Sequence, residues 1–428
     1  MATRASGAVI GVITMALRAH GINIGVVGHR AAPAAGRVCT EGQPAGRRVV
    51  SVADLHGDFH AMAELLTGLK LVREGVSRDE ATWKNAWVGD DALLVQLGDV
   101  LGRGADGRMM YRFLWALQDQ AAVSGGEVFL LLGNHELLVL RGVMDYVGGI
   151  EDKCAYTQEF SQCVKSPDNM WKCQDVKDTD YALGCLKRAW AVGGDMGDKL
   201  RKRVAEGKMN MVKKVGDLVF VHAGLVPEVW SRLGGPDAEG LEWLSDAVRK
   251  INLATSDSLL VKDDHPQGPA WTRLGEGRFG RDGWWAQRDR YLKEAERQRK
   301  RRNEKSHHTE DIPEVKEDDD APGGRCHAVR QALLKAGGER MVIGHNPRPS
   351  GDAEILCGGR LLLTDTFMSI AYTIDFKEND RDQQKARQDS TRRLLALETS
   401  DAPGADITQV YAGREGDERC RPVAPVAD

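Results

Sequence analysis

The chain has 428 residues, 42% of them hydrophobic, which is enough to bury one large core or two small ones. A net charge of -4 and a pI near 6.3 argue against nucleic acid as a partner. Partners therefore have to be read from the site chemistry.

Residues 1–46 differ in composition from the rest. Arg4, Arg18, Arg30 and Arg37 precede the first acidic residue, Glu41, and Gly7 to Leu17 is a run of apolar residues and glycine interrupted only by Thr14. A signal peptide or signal anchor, pointing to the secretory pathway, fits this pattern. So does a mitochondrial or plastid presequence, and so does a disordered extension. The run falls short of the roughly 20 residues of a membrane span, so membrane association is expected only if the segment is retained as an anchor. It is set apart from a catalytic domain placed at residues 47–415, with residues 416–428 as a C-terminal tail.

Three strand-then-loop units follow. They are V-V-S-V-A-D-L-H-G-D (Val49 to Asp58), L-L-V-Q-L-G-D-V-L-G-R-G (Leu93 to Gly104) and V-F-L-L-L-G-N-H-E (Val128 to Glu136). Each short apolar run reads as a buried parallel strand, and its polar residues fall just past the carboxyl end, where open α/β sheets place their sites. Between them, Met62, Leu65, Leu66 and Leu69, and then Met109, Met110, Phe113, Leu114 and Leu117, recur at helical spacing and predict two helices packed on the sheet. A third helix, from Leu137 to Leu140, continues directly from G-N-H-E, and its first amides are expected to favour an anion near His135.

Cys154, Cys163, Cys173 and Cys185 lie in a cap segment at about 150–200. No C-x-x-C spacing occurs there, which argues against a zinc ribbon, and two disulfides or free half-buried thiols both remain open. Residues 281–322 form a charged insertion, basic from Arg297 to Lys305 and acidic from Glu310 to Asp320, of a kind that is usually solvated. His222 and His345 each end an apolar strand, in L-V-F-V-H-A-G-L and M-V-I-G-H-N-P. Two hairpins are expected late in the chain, one around Cys357-Gly358-Gly359 and one around D-A-P-G-A, so a second sheet is expected to pack on the first.

Asp54, His56, Asp99, Asn134, His222 and His345 offer carboxylate, amide and imidazole donors suited to Mn, Fe or Zn. Six ligands exceed the need of one ion, so two divalent ions sharing Asp99 are expected. Arg103 supplies a planar fork matched to phosphate oxygens.

The ordered blocks A-D-L-H-G-D, G-D-V-L-G-R-G, G-N-H-E, H-A-G and G-H resemble the calcineurin-like metallophosphoesterases of phosphoprotein phosphatase type. G-P-A-W-T-R (Gly268 to Arg273) is similar to a block of the Shewanella-like protein phosphatases. The resemblance implies an α/β metallophosphoesterase fold, a central β-sandwich of two mixed sheets flanked by helices around a βαβαβ core. It also implies metal-dependent hydrolysis of phosphorylated protein or peptide by in-line attack of a metal-bound hydroxide. Asp54, His56 and Asp99 would then hold one metal, and Asp99, Asn134, His222 and His345 the other. His135 would be the general acid, and Arg103 and Arg273 would grip phosphate. A nucleotide hydrolase of the diadenosine-tetraphosphatase type and a pseudophosphatase that binds phosphorylated partners remain alternatives.

Two departures stand out: Ala53 replaces the first motif's glycine, and Gly102 replaces the aspartate that in the family orients the catalytic histidine. The expectation is a slower enzyme, hindered most on poor leaving groups, in which Gly102→Asp raises turnover. Asp106 is expected either to reach His135 or to cap the following helix.

Overall fold

A computed structural model describes residues 39, 46–144, 163–165, 171–173, 179–231, 240–242, 268–275, 324–348, 350–372, 394–415 and 418–426. The apolar run Gly7 to Leu17 and the charged insertion 281–322 lie outside these residues, as does most of the cap before residue 179.

The three strand-then-loop units form the core of the first sheet. Strand β1 (Arg48–Val52) leads into helix α1 (Phe59–Gly68), β2 (Leu93–Gln96) into α2 (Gly107–Val123), and β3 (Glu127–Leu131) into α3 (Asn134–Leu140). The strands are parallel, with Val49 opposite Leu93 and Leu93 opposite Glu127. Parallel strands with helical crossovers bury both faces, which accounts for their nearly continuous apolar runs. The predicted helical stripes face inward. Met62, Leu65, Leu66 and Leu69, and Met110, Phe113, Leu114 and Leu117, are buried, while Met109 is only partly so. Phe59, Trp83 and Phe113 stack between the two helices with centroids 5.3 to 6.0 Å apart.

Beyond α3 come a short ladder, β4 (Cys163–Lys165) and β5 (Trp171–Cys173), and two helices, α4 (Thr179–Trp190) and α5 (Asp195–Ala205). Trp190 sets α4 against the core through an edge contact with Tyr111, centroids 5.7 Å apart. The chain continues through β6 (Met209–Asn210), β7 (Val212–Val215), β8 (Leu218–Val221), α6 (Arg325–Ala336), β9 (Arg340–Ile343), β10 (Glu354–Leu356), β11 (Leu361–Leu363), β12 (Leu395–Ser400), β13 (Thr408–Tyr411) and β14 (Cys420–Pro422).

Seven strands build the first sheet in the order β14-β13-β12-β1-β2-β3-β6, and five build the second in the order β10-β11-β9-β8-β7. Both are mixed, so the fold is the α/β arrangement of two mixed sheets with flanking helices. The two expected hairpins are present as β10-β11 and β12-β13, but they serve different sheets. In the first sheet β12 pairs antiparallel with β1, and the buried ion pair Arg48–Glu398 at 3.1 Å joins the two strands.

The first sheet also extends past residue 415, where the sequence placed a tail. Strand β14 pairs with β13, and Cys420 forms a disulfide with Cys39, from the segment set apart at the other end of the chain. A second disulfide, Cys326–Cys357, ties α6 to the turn between β10 and β11. Two disulfides among the four cysteines from 154 to 185 are ruled out, because Cys185 is free and buried on the inward face of α4. In the short ladder Cys163 lies opposite Cys173.

Candidate metal centre

Asp54, His56, Asp99, His222 and His345 lie in the short loops just past strands β1, β2, β8 and β9, Asn134 and His135 open helix α3, and several site residues occupy backbone conformations that only a loop over-determined by its neighbours tolerates. His56, Asp99, Arg103 and His345 have φ of 40°, 51°, 64° and 57°. The first two loops are laced together, since the amides of Leu55 and His56 donate to the Asp99 carbonyl at 3.1 and 2.9 Å and that of Gly57 donates to Val100 at 2.8 Å. Gly98, at φ 95°, has to be glycine, because a Cβ there would lie 2.6 Å from the Gly133 amide nitrogen and 2.9 Å from His222 Nδ1.

Glu136 holds the second and third loops. It is fully buried, and its carboxylate accepts from the amides of Asp99 at 2.9 Å, Leu101 at 3.1 Å and Gly133 at 2.8 Å. The sequence reading quoted this residue within G-N-H-E without giving it a role. The signal available was its place in the first turn of a helix, where a carboxylate can reach back to preceding amides.

These loops bring the candidate ligands together. His56 Nε2 lies 3.8 Å from Asp54 Oδ2 and 3.7 Å from Asp99 Oδ2. His222 Nε2 lies 3.4 Å from Asp99 Oδ1 and 3.1 Å from Asn134 Oδ1. Donor atoms of His56, Asp99 and His135 form one group within 4.8 Å of one another, and those of Asp99, His222 and His345 form another. Asp99 belongs to both. His135 stands in the first group although the resemblance gives it a different role. The Asp54 carboxylate is anchored by the His345 amide at 3.1 Å.

Second contacts fix the rings. His56 Nδ1 faces the Leu101 carbonyl at 3.0 Å and His222 Nδ1 faces that of Leu97 at 2.8 Å, which presents Nε2 of both to the cluster. His345 Nε2 is buried with no hydrogen-bond partner among the described residues.

The electrostatics are those of a site built for positive charge. Burial, and after it the charge of Asp365, pushes the Asp54 carboxyl well above the usual range. Burial alone would lower His222, but the carboxylates of Asp99 and Asp54 outweigh it and raise this imidazole to about 9. Asp99 is held well below the usual range despite burial, His222 and His135 being the main causes. An orphaned imidazole nitrogen, buried carboxylates and purely N and O donors fit divalent Mn, Fe or Zn.

Arg103 and Arg273 flank the cluster, and both bear on His135. Burial, opposed in part by Asp99 and reinforced by Arg103, lowers His135 to about 4. Arg273 also donates to the His345 carbonyl. Of the first amides of α3, expected to favour an anion near His135, that of His135 itself donates to Asp99 Oδ1 at 3.0 Å.

The two expectations for Asp106 do not hold as written. It stands at the N-cap position of α2 without a capping bond from its side chain, and its carboxylate is taken by Arg78 at 2.6 Å and by the Phe59 amide at 3.3 Å. Gly102 is also not an open place for a carboxylate. It has φ 83°, and a Cβ there would fall 1.9 Å from His135 Nδ1, so the imidazole occupies the volume a side chain would need.

The family model for calcineurin-like phosphoesterases matches residues 47–349. Shewanella-like protein phosphatase 1 of Plasmodium berghei (strain Anka) is 38% identical over 325 residues, 76% of this chain and 67% of its own. Shewanella-like protein phosphatase 2 of Arabidopsis thaliana is 28% identical over 195 residues, 42% of this chain and 47% of its own. Among solved structures, the cold-active protein-tyrosine phosphatase of a psychrophilic Shewanella species matches with a TM-score of 0.51 at 18% identity, covering 88% of this chain and 80% of that one, a likeness of fold. With most of its length matched by the family model and its ligand groups assembled at strand ends, the chain belongs to the calcineurin-like phosphoesterase family and is a metal-dependent phosphatase.

Proposed function

We propose that the chain removes phosphate from phosphorylated protein or peptide, with two divalent cations held by Asp54, His56, Asp99, Asn134, His222 and His345. The observation that carries this reading is Asp99, shared between two imidazole groups and flanked by Arg103 and Arg273. Bound cations would supply Lewis-acid polarisation of the phosphoryl group and a lowered pKa for water. The two guanidiniums bind and orient the phosphoryl oxygens. His135 delivers a proton to the departing oxygen. Burial chiefly keeps its imidazole neutral, and a phosphate dianion between the arginines would offset the part that Arg103 and Arg273 add, favouring the protonated form a general acid needs.

The names of the Plasmodium and Arabidopsis relatives support protein as the substrate class. The same reading places the chain in an oxidising compartment, supported by the disulfides Cys39–Cys420 and Cys326–Cys357. No helix among the described residues is long and apolar enough to cross a membrane.

The test is manganese-supported turnover on a phosphoserine peptide, a phosphotyrosine peptide and diadenosine tetraphosphate. Preference for either peptide supports the proposal, and preference for the dinucleotide replaces it with a nucleotide hydrolase. Tight peptide binding without turnover replaces it with a phosphate-reading pseudophosphatase.

A further inference from the structure

Asp365 was not singled out by any motif, yet the fold delivers it to the metal centre. Strand β11 runs parallel to β9 with Leu363 opposite Ile343, and the Thr364 amide donates to the Ile343 carbonyl at 2.9 Å. Continuing that register two residues brings Asp365 level with His345, at the strand ends where the candidate ligands stand. The loop that follows lies against the first metal loop. Ser369 Oγ donates to the His56 carbonyl at 3.2 Å, and the Ile370 amide donates to Asp58 Oδ2 at 2.9 Å.

The side chain is fully buried. Its Oδ1 accepts from the Phe367 amide at 3.2 Å, while Oδ2 has no hydrogen-bond partner among the described residues. A buried acid that serves only the scaffold has its oxygens covered, as Glu136 has by three amides. Asp365 instead leaves an acceptor open level with His345, whose amide holds the Asp54 carboxylate.

We propose that Asp365 is a positioning residue of the cation site, an outer carboxylate whose charge and open oxygen stabilise the ions held by Asp54, Asp99 and His345. It is not a member of either group of convergent ligand atoms, so it acts through them. The inference rests on the functional reading above.

The test uses the full chain stripped of metal, with Mn2+ affinity measured by competition against a chromogenic chelator and melting temperature followed with and without Mn2+. Asp365→Asn and Asp365→Ser are expected to bind Mn2+ about 10- to 100-fold more weakly than the wild type. Their metal-free melting temperature should stay at that of the metal-free wild type, because the open oxygen of Asp365 serves the ions and not the scaffold. Affinities within about threefold of wild type overturn the inference alone, being well under the loss expected for an outer partner. So does an equal fall in melting temperature with and without metal, or failure of both variants to fold, since each assigns Asp365 to the scaffold. A wild-type chain that binds no Mn2+ overturns the functional reading itself.

Discussion

Gly102→Asp installs the carboxylate that the family motif carries beside the catalytic histidine, and the structure reverses the effect expected of it. The new Cβ would stand 1.9 Å from His135 Nδ1, 2.6 Å from Cε1 and 2.9 Å from Cγ. Carbon contacts relax at about 3.5–4.0 Å, so the ring has to retreat by roughly 1.6–2.1 Å. The retreat is opposed by His56, whose ring centroid is 4.7 Å away, and by Asp99, whose Oδ2 is 3.8 Å from Nε2. A misplacement of about 1 Å at a reacting group costs on the order of 10²-fold, and loss of general-acid help costs about 10²–10⁴. A side chain at φ 83° adds backbone strain of about 1–3 kcal/mol. The expected outcome is a fall in kcat of at least about 10²-fold on a phosphoserine peptide, a comparable fall on an aryl phosphate, and a lower melting temperature. Gly102→Ala carries the same Cβ without the charge and is expected to match it. If Gly102→Asp turns over the peptide faster than wild type while Gly102→Ala is slow, the backbone has reset to let the carboxylate reach His135, and the steric argument is wrong.

Asp99→Asn removes the charge common to both ligand groups, so bound manganese, read by elemental analysis, is expected to fall below two ions per chain and turnover to be lost; retention of both ions refutes the shared role. Arg273→Ala is expected to lower kcat/KM by about 10- to 100-fold, the worth of a charged hydrogen bond to phosphate, with a small loss of stability because its bond to the His345 carbonyl also goes. Unchanged kinetics with a large fall in melting temperature would make it a scaffold residue. Mild reduction, or Cys39→Ser with Cys420→Ser, opens a cross-link spanning 381 residues and is expected to remove about 2–4 kcal/mol. A melting temperature indifferent to the change would show that the link does not constrain the fold.

The sequence made legible what depends on chain-local periodicity: the three parallel strands, the inward faces of α1 and α2, both late hairpins and the residues that end β1, β2, β3, β8 and β9. It did not show which sheet each hairpin joins, because pairing of β12 with β1 links residues such as Ser51 and Leu397 that no local pattern connects. The Cys39–Cys420 disulfide was not foreseen for the same reason, since the two cysteines meet only once β14 closes the edge of the sheet. Asp365 was invisible because its position follows from the β9-β11 register and not from its neighbours in sequence. Gly102 was legible as a departure, but its consequence was not, because the space beside it is set by the His135 ring.

The orientation of His135 has to come from somewhere other than an acid at position 102, and both nearby candidates are committed elsewhere. Asp106 serves Arg78, and Glu136, next in the chain, serves three amides. The residue is instead held at its backbone by Asp99 Oδ1, and its ring rests on Gly102 on one side and edge-on to His56 on the other. Close packing thus helps to fix where the ring lies. Packing fixes where a ring lies at no cost in buried charge, but it does not stabilise the imidazolium as a carboxylate does. On the roles proposed above, a phosphate held by Arg103 and Arg273 would add to the charge of Asp99 in favouring the protonated ring, so that acid catalysis would be coupled to substrate binding.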